Sequence, residues 1–246
     1  MVGTKKISNF EIDHYLSQGY FLASKIFDAE DLDDLVETSH NAASIKMTSS
    51  KQTNENKIYR AYENLQFAKE IFESDKLMEI LKPILGPNIV FLKNRHNHIS
   101  ISPAGTNIKR FHRDIVHWSR PTLSALIYLE DTCIENGCTW LIPGSNNYHF
   151  INPHNSPSHG GTWIEETDNY AVMENQAVPI IAKKGDVLLM NSLAFHSPGN
   201  NKTEKDRIVL VGAYRAADEL SNNSDNNIVF VSGRHMYCGN DRDTRA

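Results

Sequence analysis

Cysteine is scarce: Cys133, Cys138 and Cys238 are the three thiols in 246 residues. The count is odd and no CxxC pair occurs, so a disulfide framework is excluded and a reducing, cytoplasmic setting is expected. Cys133 and Cys138 read as small packed hydrophobes. No run approaches the roughly 20 apolar residues needed to cross a bilayer. Lys5 and Lys6 have no apolar core behind them, so Met1 to Phe10 is not read as a signal peptide. Excess positive charge is also missing: 25 Lys and Arg stand against 30 Asp and Glu, a net charge of -5. That balance excludes an electrostatic grip on nucleic acid. With no repeat, low-complexity tract or linker, residues 1–246 read as one domain with a substantial core.

The remaining chain divides near residue 88. Before it, helices are expected over about 9–82. Phe10 to Ser17 suits a first helix stopped by Gly19, followed by a short strand Tyr20 to Ala23. Asp28 to Asp31 reads as an N-cap with an acidic first turn, and Leu32, Leu35 and Val36 give that helix its buried stripe. Residues 44–64 are polar and read as a loop. Asn64 to Leu81 reads as one helix ended by Pro83 and Gly86. After residue 88 come short apolar strands, Ile89 to Ser102, Leu123 to Leu129, Thr139 to Ile142, Ile180 to Ile181, Val187 to Met190 and Ile208 to Tyr214. Turn signals such as Glu135-Asn136-Gly137 and Lys184-Gly185-Asp186 separate them. This is a mainly β, α+β pattern with a jelly-roll core over about 88–216 and a polar insertion over about 146–170.

Within that core, His112 and Asp114 are two residues apart, so on an extended strand both leave one face. Taken alone, His-x-Asp reads first as a buried hydrogen-bonded pair. A distal His196 after the apolar strand Val187 to Met190 changes the balance, because two imidazoles and a carboxylate can hold Fe(II) on one face and leave the other open. Arg207, eleven residues past His196, offers a planar charged fork for a carboxylate. The set points to an oxygenase that consumes a 2-oxo acid. A zinc hydrolase with the same ligands lacks a placed general base.

The chain resembles the phytanoyl-CoA dioxygenase family of Fe(II)/2-oxoglutarate oxygenases. The resemblance is carried, in order, by His112-Arg113-Asp114, Asn136-Gly137-Cys138, Ile142-Pro143-Gly144-Ser145, Gly185-Asp186-Val187, His196 and Arg207. It implies a cupin-like double-stranded β-helix with Fe(II), 2-oxoglutarate and O2 as cofactor and cosubstrates. It also implies that His112, Asp114 and His196 bind the metal and that Arg207 pairs with the distal carboxylate of 2-oxoglutarate. Members often carry a small hydroxyl residue two past the distal histidine; here Pro198 stands there, and Ser197 is taken as the cosubstrate contact one residue early. Halogenating relatives replace the carboxylate ligand, so Asp114 disfavours halogenation. The expected activity is hydroxylation of an unactivated C–H bond in a small, polar or anionic molecule, with succinate and CO2 released. Desaturation, cyclisation or epoxidation at the same iron, or a non-catalytic binding role, are the alternatives.

Four further residues are substrate candidates. His96 and His98 share one face of a strand, read either as pointing into the barrel or as a solvated pair. Trp118 reads as a pocket wall or as packing under a loop, and Arg215, with the parity of Arg207, as an anion contact or a surface residue. His117, His149, His154, His159 and His235 read as loop residues. The loops 44–64 and 146–170 are the expected lid.

Overall fold

The computed structural model describes residues 6–49, 57–107, 109–115, 122–148, 162–163, 171–217 and 226–234. Two antiparallel sheets face each other in a jelly roll. The larger runs β1 (Tyr20–Ala23), β10 (Val187–Asn191), β6 (Leu123–Tyr128), β12 (Arg207–Ala216), β3 (Ile89–Leu92) and β13 (Ile228–Ser232). β4 (His98–Ser102) shares an edge of β12 with β3 and carries β2 (Lys57–Tyr59) on its far side. The smaller runs β8 (Thr162–Trp163), β5 (His112–Arg113), β11 (His196–Pro198), β7 (Thr139–Leu141) and β9 (Val178–Ile180).

The larger sheet is covered on both faces, which is why its central strands read as unbroken apolar runs. Its outer face, including Phe91, Ile99, Leu123, Ile127, Leu189 and Leu210, packs on the helices through Leu32, Leu35, Phe72, Leu77 and Ile80. Its inner face sends Leu126, Tyr128, Leu188, Met190, Val209 and Val211 against Leu141, Ile180 and Ala194 of the smaller sheet. Each such buried aliphatic side chain contributes about 1.5–3 kcal/mol. The turn at Gly185 leaves no room for a side chain: a Cβ there would lie 2.1 Å from the Phe27 carbonyl oxygen, and its φ is +90°. Asp186 beside it accepts from the Lys25 and Lys183 N–H groups, locking the entry to β10.

The structure departs from expectation in four places. The first helix, α1 (Asn9–Gln18), ends at Gly19 as expected. Asp28 is not an N-cap; a short 3-10 turn, Glu30–Leu32, leads into α2 (Asp33–Ser49), and the Asp28 carboxylate instead meets Lys76 Nζ at 3.0 Å. Residues 44–49 continue α2, and 57–64 form β2 and the turn α3 (Ala61–Asn64), so 44–64 is not a continuous loop; residues 50–56 lie outside the described set. The expected helix 64–81 is two, α4 (Gln66–Phe72) and α5 (Asp75–Leu85), because Ser74 caps α5 by accepting from Leu77 N. Pro83 sits inside α5, near enough to its end to forfeit little of the hydrogen-bond ladder, and Gly86 stops it. Finally, Ile89 to Ser102 is not one strand: β3 and β4 are separated by a turn over 93–97. Among the described residues no helix is long and apolar enough to cross a membrane.

Candidate active site

β5 and β11 run antiparallel with His112 directly opposite His196, and this cross-strand pairing sets their rings 4.4 Å apart. Asp114 follows β5, where its N–H donates to the Ser192 carbonyl at 2.9 Å. Asp114 Oδ1 lies 3.7 Å from Nε2 of both His112 and His196. One ligand atom from each of the three lies within 4.8 Å of the others. The alternation expected of this segment holds, since the intervening Arg113 turns the other way, stacks over Phe195 and donates to the Ser145 carbonyl. Ser145, from the Pro-Gly-Ser turn, supports the segment leading to His196: its hydroxyl donates to Ile142 O and accepts from Phe195 N at 2.8 Å.

Electrostatics suit these groups to a cation. Burial, reinforced by His196, lowers the His112 pKa to about 3, which leaves a neutral imidazole with a lone pair to give. Burial alone would raise the Asp114 carboxyl, but His96, His196 and His112 around it hold it well below the usual carboxylate range. Asp114 Oδ2 is buried and makes no aligned hydrogen bond, although His96 Nε2 lies 3.1 Å away. A buried carboxylate with an unpaired oxygen is costly without a positive partner. The donor set fits a divalent first-row metal with open positions.

Two connected hollows meet at this trio. The inner one, about 150 Å³, lies between the sheets and is bordered by His98, His112, His196 and, at its far side, Arg207. Arg207 is 4 % exposed. Its Nη2 donates to Ser102 Oγ at 2.6 Å, while Nε and Nη1 are buried with no partner. The outer one, about 500 Å³, is walled by the turn 93–97 and by Lys57, Tyr59 and Arg60, with His112 and Asp114 at its floor.

His96 and His98 both border the cavities, but not through strand parity: His96 sits in the turn with φ +43° and only His98 is on β4. Burial pushes the His98 pKa well below its ordinary value. Ser197 faces away from the cavity, because β11 alternates and His196 and Pro198 take the inner side. Its hydroxyl accepts from Arg110 N at 2.7 Å and donates to Pro198 O, so the expected cosubstrate contact is corrected to a backbone tie. Arg215 is buried, eight residues along β12 from Arg207, and borders neither hollow. Trp118 and the five loop histidines lie outside the described residues, as does most of 146–170. Lys57, Ser124 and Thr139 also border the inner hollow and were not anticipated. A hydroxyl at the inward parity of the otherwise apolar β6 and β7 was a usable signal for Ser124 and Thr139; Lys57, in a stretch without period, gave none.

A jelly roll with two histidines and an aspartate converging at one end of its inner cavity is the architecture of non-haem iron oxygenases. The profile of the phytanoyl-CoA dioxygenase (PhyH) family matches residues 15–209. The chain belongs to this family. It is 27 % identical over 189 residues to the human peroxisomal phytanoyl-CoA dioxygenase, covering 71 % of this chain and 54 % of the relative. It is 25 % identical over 245 residues to a probable alpha-ketoglutarate-dependent hypophosphite dioxygenase of Stutzerimonas stutzeri, covering 89 % and 84 %. The chain spans about half the length of the first two curated relatives it matches, 54 % and 48 %. Among solved structures, iron-bound EctD from S. alaskensis superposes with TM-score 0.69 at 18 % identity, over 88 % of this chain and 80 % of that one. The epimerase SnoN, in complex with Fe3+, alpha-ketoglutarate and nogalamycin RO, gives 0.66 at 15 % identity over 93 % and 94 %.

Proposed function

We propose that the protein hydroxylates an unactivated C–H bond of a small, polar or anionic metabolite or natural-product intermediate, using Fe(II), O2 and 2-oxoglutarate. In this reading one oxygen atom enters the substrate as hydroxyl and the other enters succinate, with CO2 released. The observation that carries it is the pairing of the His112, Asp114 and His196 donors with a buried Arg207 that has two unused donors across the same cavity.

His112, Asp114 and His196 would hold the metal, and Arg207 would receive the far carboxylate of 2-oxoglutarate in a charge-assisted pair. The bound iron supplies oxygen activation coupled to decarboxylation of the cosubstrate. The chain's own share is positional. With Asp114 as the one carboxylate among the three donors, a divalent metal held there would keep a net positive charge toward the 2-oxo acid, and Ser145 fixes the segment before His196. The apolar wall of Leu126, Met190, Val209 and Val211 limits water around the reacting centre. His96 and His98 stand where a substrate would be held against that centre. No side-chain general base is required, in keeping with the neutral state of His112.

Desaturation, cyclisation and epoxidation start from the same hydrogen removal and form the second reading; the epimerase SnoN and the carbocyclase SnoK share the fold. We place the protein, as one domain, in the reducing cytoplasm on its cysteine content. Succinate release tested over a panel of small anions and polar metabolites decides the matter. Coupled turnover that disappears in His112→Ala and Asp114→Ala supports the proposal, and turnover retained in either contradicts it.

A further inference from the structure

The wall that Arg207 shares holds one donor that the proposed pairing does not use. Thr139 lies on β7 directly opposite Pro198 of β11, and both border the inner hollow. Pro198 brings no donor to that wall, and the Ser197 hydroxyl is tied to Arg110 and Pro198 on the other face. Thr139 is buried, and its Oγ1 accepts from the Tyr128 hydroxyl at 3.3 Å. Among the described residues this is the one hydrogen bond of the Thr139 hydroxyl, so its own proton is left to give. Packing does not explain the hydroxyl. Leu141, the next inward residue of β7, lies in an apolar cluster, and valine would fill the space of threonine without a polar atom to satisfy.

Tyr128 connects Thr139 to the arginine. It stands on β6 opposite Val209 of β12, two residues from Arg207 along the same inner face. The Tyr128 hydroxyl and the thiol of Cys138, the residue before Thr139, both lie near enough to act on the Arg207 charge. On the other flank Ser102, opposite Arg207 on β4, accepts from its Nη2 and steadies the guanidinium. Arg207 and Thr139 thus border one hollow with His112 and His196, and each has a buried donor without an acceptor.

We infer that Thr139 is a second seat for the distal carboxylate of 2-oxoglutarate: its hydroxyl donates to one carboxylate oxygen while Arg207 pairs with the charge. Tyr128, by donating to Oγ1, keeps the Thr139 proton for that oxygen. This rests on the function proposed above and deepens it by naming a residue that selects a dicarboxylic 2-oxo acid. A 2-oxo acid without the second carboxylate would leave both donors buried and unpaired, which is how a polar site rejects a shorter analogue.

The test uses the full chain loaded with Ni(II), titrated calorimetrically with 2-oxoglutarate and with pyruvate, which has the same 2-oxo acid end and no second carboxylate. Thr139→Val should weaken 2-oxoglutarate by about 10- to 100-fold, the range of a hydrogen bond to a charged group. The same variant should bind Ni(II) and pyruvate within about twofold of the parent, as expected of a near-isosteric change that leaves the metal end intact. Thr139→Ser should restore most of the 2-oxoglutarate affinity, and Tyr128→Phe should fall between parent and Thr139→Val. Should Thr139→Val not fold, Thr139→Ala decides by the same comparison. Parent-like 2-oxoglutarate affinity in the variant without the hydroxyl overturns the inference, as does an equal loss for 2-oxoglutarate and pyruvate, which would make Thr139 a structural residue. Folded parent protein that takes up Ni(II) but no 2-oxoglutarate overturns the proposed function and this seat with it.

Discussion

His96 Nε2 lies 3.1 Å from Asp114 Oδ2, on the opposite side of the carboxylate from Oδ1, which faces the Nε2 atoms of His112 and His196 at 3.7 Å. One oxygen is thus turned to the metal position and the other to a neighbouring imidazole. Groups that orient a ligand in this way commonly govern metal affinity by about 10- to 100-fold. His96→Leu should weaken Ni(II) binding within that range, and His96→Gln, which keeps an N–H donor, should recover much of it. Equal affinities in the parent and His96→Leu would remove His96 from the account.

Arg207 carries a buried positive charge with Nε and Nη1 unpartnered, a cost that an incoming carboxylate relieves. Arg207→Met should leave the melting temperature of the ligand-free protein unchanged or higher. In the parent, 2-oxoglutarate at a hundredfold above its Kd should stabilise by about 2.7 kcal/mol. That gain should vanish in Arg207→Met, measured by thermal melts with and without 2-oxoglutarate. A gain of the same size in the variant would refute the assignment.

Ser145 is completely buried and its hydroxyl is the acceptor for Phe195 N, beside His196. Ser145→Ala should orphan that N–H and cost about 1–3 kcal/mol. A chain of this length should then melt lower by about 2–4 °C for each kcal/mol lost. Calorimetry checks the value, and an unchanged midpoint would show that the turn does not anchor the ligand strand.

Burial pushes the Cys138 thiol up to about 11, whereas Cys133 is partly accessible. Below that pKa the reactive thiolate of Cys138 is scarce, so alkylation at pH 8 should label Cys133 first. Peptide mapping after brief iodoacetamide treatment reads the order directly. Faster labelling of Cys138 would mean that the entry to β7 opens more readily than its packing implies.

The convergence of His112, Asp114 and His196 was legible because it follows rules that survive folding. A period of two puts His112 and Asp114 on one side of an extended segment, and after the apolar β10 of the larger sheet the chain crosses to β11, which pairs His196 with His112 in the smaller one. The central strands were legible for a similar reason, being apolar on both faces. Misreadings arose where local grammar competed with tertiary contacts. Ser197 looked like a substitute for the missing hydroxyl at Pro198, yet strand alternation turns it outward to Arg110. His96 borders the cavity through a left-handed turn that no parity rule describes, since Asn97 fixes that turn from a distance. Asp28 had the composition of a cap, but Lys76 claims its carboxylate. Lys57 reaches the inner hollow because β2 adds to β4, where it pairs with the distant Ser100.

The most direct measurement is an anaerobic titration of the apoprotein with Fe(II) and 2-oxoglutarate, followed in the visible range. Chelation of the 2-oxo acid by iron at His112, Asp114 and His196 predicts a saturable metal-to-ligand charge-transfer band that Asp114→Ala abolishes. No band in the folded parent protein at saturating Fe(II) and 2-oxoglutarate, or a band undiminished in Asp114→Ala, would contradict the account.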